Sequence, residues 1–535
     1  MEQVGIARRD FLKGIAAAAL TAGFIGPSEA KAFVDGGRCS HARDILPQNL
    51  QPYPVIKGHP GSEQFWDKVR QTFVLPDDYI HMNTGTTGSQ PLFSLVNLGV
   101  YNLYKSEDPR DWQLNLNKDF PDLFAFDSST ATSALVKRQI AVANQYWANA
   151  DEILLDYNTT DACNLIFAGT PWNKGDRIIC TQWEHAAMTG PIAWARDYFD
   201  VEVRIVTLPT NFTKNISVQD VVDAFEVEFK QVPPGVKAYL ATSEVFYKNG
   251  LRMPIKALCA KARSYGIFSI IDSAHGWGML PVDCHGYGAD FIAGAGHKWL
   301  CGGPGTGITY VRNSYDLPKY PLPPFNGGNW AAYGGSLFDP TTKSPRFVLG
   351  SQTVKRSWTP ASLSSRGETN TPALYAMTDS AAYFGYIGVQ AIRDRGVALG
   401  NYLKSKIAAQ WPGALWVEQN NDPEFATALT AFNPFKERET TTALPAMSAA
   451  INGVSGVGGI LNTLAGEDPK IYIRSVTFRA LETGAHTYPT ADNRITMRAS
   501  THGVYNNYQQ VDYMFHRLVK AVEAAAAVNG LTLLQ

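Results

Sequence analysis

Apolar residues along this chain fall into short runs separated by longer amphipathic stretches. From Glu152 onward, the runs Ile153–Tyr157, Arg177–Thr181, Val201–Leu208, Val236–Thr242, Phe268–Asp272 and Gly307–Val311 are rich in β-branched and aliphatic residues, as buried strands are. Between them, Ala186–Tyr198, Val218–Phe229 and Ile255–Tyr265 repeat their apolar positions at the helical period. Strands alternating with helices predict a mainly parallel sheet with helices on both faces. A long helical segment, Pro372–Ala409, leads into a second αβ region ending near Gln535. Residues 319–366, with many Pro, Gly, Ser and Trp, predict an irregular connection, and residues 33–75 an extension draped over the core. The pattern implies two lobes with a site between them.

The 535 residues, 45% of them hydrophobic, are enough for a deep core. A formal net charge of −1 without long runs of like charge argues against a nucleic-acid groove or a polybasic membrane patch, and favours a small-molecule partner. Six cysteines, Cys39, Cys163, Cys180, Cys259, Cys284 and Cys301, lie far apart without metal-ligand spacing. They are expected to be mostly buried thiols, and no metal site is expected. Near the start, Ala7-Arg8-Arg9-Asp10-Phe11-Leu12-Lys13 precedes an apolar stretch from Gly14 to Ile25, and Ala30-Lys31-Ala32 offers small residues for cleavage. Residues 1–32 thus resemble a twin-arginine signal peptide, which implies export through the twin-arginine translocase to the periplasm. The apolar stretch is short for a bilayer span, so no permanent membrane anchor is expected.

Ligands of open αβ sheets collect at the carboxyl ends of strands, which directs attention to the polar residues just after the apolar runs. Asn158-Thr159-Thr160-Asp161 joins a strand to a helix whose free N–H groups would favour a phosphate, although the same residues could serve only as an N-cap. The strand Phe268–Asp272 ends in a carboxylate with His275 three residues later; Asp272 either pairs with a buried cation or caps the next helix. Lys298 sits in the Gly-rich, apolar setting Gly294-Ala295-Gly296-His297-Lys298-Trp299, where desolvation would make it a usable amine nucleophile. The alternative is a snorkelling surface lysine. His185, in Gln182-Trp183-Glu184-His185, could stack on a flat cofactor, relay a proton, or be a satisfied core histidine.

Taken in order, Asn158-Thr159-Thr160, Glu184-His185, Asp272-Ser273-Ala274-His275 and Gly296-His297-Lys298 resemble the motifs of class V aminotransferases, a group of fold-type I pyridoxal-phosphate enzymes, over roughly residues 76–525. The resemblance implies an α/β fold: a large cofactor-binding domain, residues 76–366, with a mainly parallel seven-stranded sheet flanked by helices, and a smaller C-terminal α+β domain, residues 367–535. It implies that Lys298 carries pyridoxal 5'-phosphate, that Asp272 pairs with the pyridine nitrogen, and that His185 stacks on the ring while His275 reaches the phenolic oxygen. Thr159, Thr160 and His297 would hold the phosphate, with Ala295 standing where the family usually has a hydroxyl. Thr371, in Glu368-Thr369-Asn370-Thr371-Pro372, would reach the phosphate of a neighbouring subunit, so a homodimer with shared active sites is expected. Arg498, in Ile495-Thr496-Met497-Arg498-Ala499-Ser500, would grip a substrate carboxylate. Asn83 lies in Tyr79–Pro91, which resembles the N-terminal loop of the isopenicillin N epimerase-like branch and would line the substrate entrance.

Cysteine desulfurases, the commonest relatives in this family, need a nucleophilic cysteine before the carboxylate-binding arginine. Here no cysteine follows Cys301, and Leu481-Glu482-Thr483-Gly484-Ala485-His486-Thr487 offers no thiol, which disfavours that reaction. The expected partner is an amine or amino-acid substrate, with Lys298 as general base on its carbon. Transamination ranks first among the reactions, with epimerisation, racemisation or elimination as alternatives. An inactive periplasmic amine-binding protein is the non-enzyme alternative.

Overall fold

Strands buried on both faces need helices above and below them, and the apolar runs of this chain meet that need. The computed structural model describes residues 51–124, 134–208, 216–312, 368–418, 422–454, 458–477 and 494–535. The expected export signal at residues 1–32, the first part of the expected extension at 33–75, the expected irregular connection at 319–366 and the thiol-free stretch Leu481–Thr487 lie outside the described residues.

The strands, in chain order, are β1 (Tyr79–His81), β2 (Ile153–Asp156), β3 (Arg177–Thr181), β4 (Glu202–Val206), β5 (Ala238–Ser243), β6 (Phe268–Asp272), β7 (Phe291–Ala295), β8 (Gly307–Val311), β9 (Leu429–Phe432), β10 (Lys470–Tyr472), β11 (Arg474–Thr477) and β12 (Ile495–Ser500). Seven of them form the main sheet in the order β2-β8-β7-β6-β5-β3-β4. The run from β7 to β4 is parallel, and β8 is antiparallel to both its neighbours. Alternate residues feed two separate cores: Ile179, Leu240, Ile271 and Ile292 pack on one face, while Ile178, Tyr239, Ile270 and Ala293 pack on the other. This is the mainly parallel, helix-flanked seven-stranded sheet expected from the sequence.

Strand β7 escapes the apolar pattern because it ends in Gly294 and Ala295. A side chain at position 294 would collide with the Trp277 indole, so the strand trades a hydrophobic signal for close packing. The long helical segment is two helices, Thr371–Ile387 and Val389–Gln410, broken at Gly388, whose φ of 99° disfavours any residue with a Cβ.

A smaller antiparallel sheet, β11-β12-β9, packs Met497 and Ala499 with Leu399, Leu403 and Ile407 of one helix and Val511, Met514 and Leu518 of the helix Tyr508–Asn529. The segment from β1 to Gly88 straps this sheet to the main one. β1 pairs in parallel with β10, the Ser500 N–H donates to the Met82 carbonyl at 2.8 Å, and the Gly88 N–H donates to the His297 carbonyl at 2.8 Å. The strap therefore runs across the carboxyl ends of the parallel strands.

Candidate active site

The loops after β2, β3, β5, β6 and β7 open with the strap and the smaller sheet onto one cavity of about 630 Å³. Thr159, Thr160, His185, His275, His297, Lys298 and Arg498 all line it. Asp272 lies just beneath the wall, while Asn83 and Thr371 are not part of it.

At one end, the helix Thr159–Gly169 begins at Asn158, whose side chain accepts the Asp161 N–H at 2.9 Å. That cap leaves the first amides of the helix facing the cavity with the positive end of its dipole. The Thr159 hydroxyl is buried without a partner, and Thr160 is exposed at the rim. His297 donates through Nδ1 to the Thr306 carbonyl at 3.3 Å. Burial, then the Lys298 charge, lowers its pKa; a nearby anion would oppose both effects.

At the centre, Asp272 ends β6 and accepts the Ala274 N–H at 2.9 Å. Burial raises its pKa, a shift that the Lys298 charge opposes. Lys298 keeps partial exposure to the cavity, and desolvation brings its ammonium down to about 8 against the pull of Asp272, with Arg498 and Arg474 adding repulsion. The Trp299 indole donates to His275 Nδ1 at 3.0 Å. Burial keeps His275 neutral, so its proton sits on Nε2, a buried donor with no acceptor. His185 caps the helix Ala186–Phe199, its Nδ1 accepting the Ala187 N–H at 3.1 Å. Desolvation, then Lys298, brings it down to about 4, so this ring is also neutral.

At the other end, Arg498 is buried on β12. It donates to the Tyr247 carbonyl at 2.9 Å and to the Thr86 hydroxyl at 3.1 Å, and its Nε has no partner. Asn83, expected at the entrance, is instead buried behind Thr86: its Oδ1 accepts from the Thr86 hydroxyl at 2.9 Å and from Arg498 at 3.4 Å. The strap's peptide bonds turn Gly85, Thr86 and Thr87, rather than Asn83, toward the cavity. Thr371 starts a helix away from the cavity of its own chain, its hydroxyl 3.1 Å from that of Thr369.

The sequence reading assigns no role to Glu184, Thr86, Tyr247 or Arg474. Glu184 joins the ends of β3 and β5, accepting from Thr181 Oγ1 at 2.6 Å, Ser243 N at 2.8 Å and Ser243 Oγ at 2.6 Å. Its place beside His185, straight after an apolar strand, is the signal that could have marked it. Arg474 had a weaker one, the two-residue alternation of Lys470, Tyr472 and Arg474 with apolar neighbours.

Pyridoxal 5'-phosphate fits this donor set. The amides and the unpartnered hydroxyl of Thr159 suit its phosphate, the buried carboxylate of Asp272 suits a protonated pyridine nitrogen, the orphaned His275 N–H suits its phenolate, and the desolvated Lys298 suits its aldehyde.

Comparison with known proteins agrees. The chain is 28% identical to the "Probable cysteine desulfurase 2" of Mycobacterium leprae over 275 residues, 49% of this chain and 57% of that protein. It is 24% identical to the isopenicillin N epimerase of Streptomyces clavuligerus over 248 residues, 46% of this chain and 56% of that protein. The chain thus spans a little over half the length of these two relatives. An apo cysteine desulfurase from Thermococcus onnurineus NA1 shares the fold, with a TM-score of 0.62 at 19% identity, covering 86% of this chain and 98% of that one. The family model "Aminotransferase class-V" matches residues 127–514, and the chain belongs to that family of pyridoxal-phosphate enzymes.

Proposed function

We propose that this chain is an exported enzyme acting on the amino group of an amino acid, peptide or secondary metabolite, and that its reaction is transamination. The observation that carries the reading is the pairing of a desolvated Lys298 with a buried Asp272 at the base of one cavity. When bound, pyridoxal phosphate supplies an aldehyde for the amine and a ring that accepts electrons from the adjacent carbon. Thr159, Thr160 and His297 hold its phosphate, Asp272 keeps its pyridine nitrogen protonated, and His275 donates to its phenolate. His185, neutral and fixed by Ala187, covers the ring. Lys298 takes and returns the proton at the substrate carbon, and Arg498 orients the substrate through its carboxylate.

Epimerisation is the second reading, supported by the likeness to an isopenicillin N epimerase. Sulfur transfer from cysteine is disfavoured: Cys301 is buried against Trp299 and His502, and burial holds its thiol well above the usual range.

The test is the visible spectrum of the wild type and of Lys298→Ala, before and after borohydride, followed by a panel of amino acids with a 2-oxo acid. A band reduced onto Lys298, and amino transfer that the variant lacks, support the reading. Proton exchange with inversion and no transfer would favour the epimerase. Ligand affinity that survives Lys298→Ala without any turnover would mark a binding protein instead.

A further inference from the structure

Arg474 and Arg498 are directly opposite each other on the antiparallel strands β11 and β12. Both line the cavity, and both donate to the same Thr86 hydroxyl, at 3.0 and 3.1 Å. That hydroxyl gives its own proton to Asn83 at 2.9 Å, so Thr86 holds the two guanidinium groups together without neutralising either. Among the described residues, neither arginine has a carboxylate within ion-pair distance. Two like charges directly opposite on a sheet repel, and an anion bound between or beside them would relieve that repulsion.

The two arginines lie at different depths. Arg498 is buried next to the central machinery: a side chain at Gly85 would touch Arg498 Nη2 at 3.1 Å and His275 Cε1 at 3.2 Å. Arg474 is exposed at the mouth. A carboxylate seated at the buried Arg498, next to His275, leaves the exposed Arg474 facing the open end of the cavity, where a second carboxylate can reach it.

We propose that Arg474 and Arg498 form a two-step anion clamp and that the substrate is an amino acid with a second carboxylate on its side chain. The inner arginine takes the carboxylate beside the amine, and the outer one takes the distal carboxylate. The proposal rests on the reading that this cavity receives an amino acid, and it narrows the class of that amino acid.

The test uses the cofactor-loaded protein and two carboxylates without an amine, glutarate and butyrate, with affinity measured by calorimetry. Neither can react, so the result is independent of turnover. Glutarate is expected to bind about tenfold more tightly than butyrate, the effect of one extra charged hydrogen bond. Arg474→Gln is expected to erase that preference, Arg474→Lys to restore part of it, and Arg498→Gln to weaken both ligands. Thermal melts of each variant verify the fold. Equal or undetectable binding of the two ligands by the wild type, or equal losses for both in Arg474→Gln, would overturn the clamp. A clear glutarate preference without turnover of any amine would uphold the clamp and count against the enzymatic reading.

Discussion

Trp299 follows Lys298 directly, and its indole N–H donates to His275 Nδ1, so one residue of the lysine loop fixes the proton of a histidine on the neighbouring loop. The Trp299 carbonyl in turn accepts from His502 Nε2 at 2.7 Å. Replacing the indole removes the constraint on the His275 tautomer while leaving an aromatic ring in place. Trp299→Phe is therefore expected to lower kcat/KM about fivefold, the effect of one lost hydrogen bond. Nitrogen-15 NMR of the His275 ring should show a mixed tautomer in the variant and a single one in the wild type.

Burial brings Lys298 down from 10.5 to about 8, so capture of an aldehyde by the cofactor-free protein should rise with pH through about 8. The signs of two substitutions follow from its neighbours. Asp272 favours the charged ammonium, so Asp272→Asn shifts that midpoint lower; Arg498 repels it, so Arg498→Gln shifts it higher. Rates of borohydride-trapped pyridoxal phosphate across pH test both directions.

Glu184 gives a stability effect with a defined pH window. Desolvation brings its carboxyl up from 4.5 to about 7, against hydrogen bonds from Ser243 and Thr181. The folded state thus binds the proton more tightly than the unfolded chain does. The contribution is fully present below pH 4.5 and is lost as pH rises through 7, by about 3 kcal/mol in total. Urea midpoints of the wild type should fall between pH 5 and 8 relative to those of Glu184→Gln, which has no proton to lose.

Gly85 and Gly88 leave room for different parts of the site. A side chain at Gly88 would strike the Lys298 carbonyl, which cannot yield without moving the lysine loop. Gly88→Ala should therefore destabilise by about 1–3 kcal/mol and loosen the cofactor. A side chain at Gly85 meets Ser500 Oγ at 3.0 Å and Arg498 Nη2 at 3.1 Å, so Gly85→Ala should raise KM severalfold while the cofactor is retained. Fluorescence titration with pyridoxal phosphate separates the two outcomes.

The proposed export depends on Arg8 and Arg9. Replacing both with lysine should leave the protein in the cytoplasm, unprocessed and loaded with cofactor, as cell fractionation and mass measurement would show.

The main sheet is legible in the sequence because its strands are buried on both faces and so carry continuous apolar runs, as in Phe268–Asp272. β7 is not, because Gly294 and Ala295 make room for Trp277. The same logic divides the site. Asp272 and His275 stand out as polar residues after an apolar run and Lys298 as a charge in a Gly-rich, apolar setting, and the structure brings them together. Asn83 belongs to a strap whose turn decides which side chains face inward, and that turn follows from long-range bonds to Ser500 and His297. For Arg474 the sequence offers only the weak polar alternation from Lys470, and its place opposite Arg498 is a pairing that no local spacing announces.

The strap also sets an order of events during synthesis. Tyr79–His81 pairs with Lys470–Tyr472, and Asn83 bridges to Ser500, so an early part of the chain waits for one of the last parts before the cavity can close. Contacts this distant in sequence form late and slowly. The ribosome must have passed Ser500 before the strap can close over the cavity, so retention of a ligand there would report that β1, β10 and β12 have met. On the proposed export route, which accepts folded proteins, cofactor loading would act as a quality check before the protein leaves the cytoplasm.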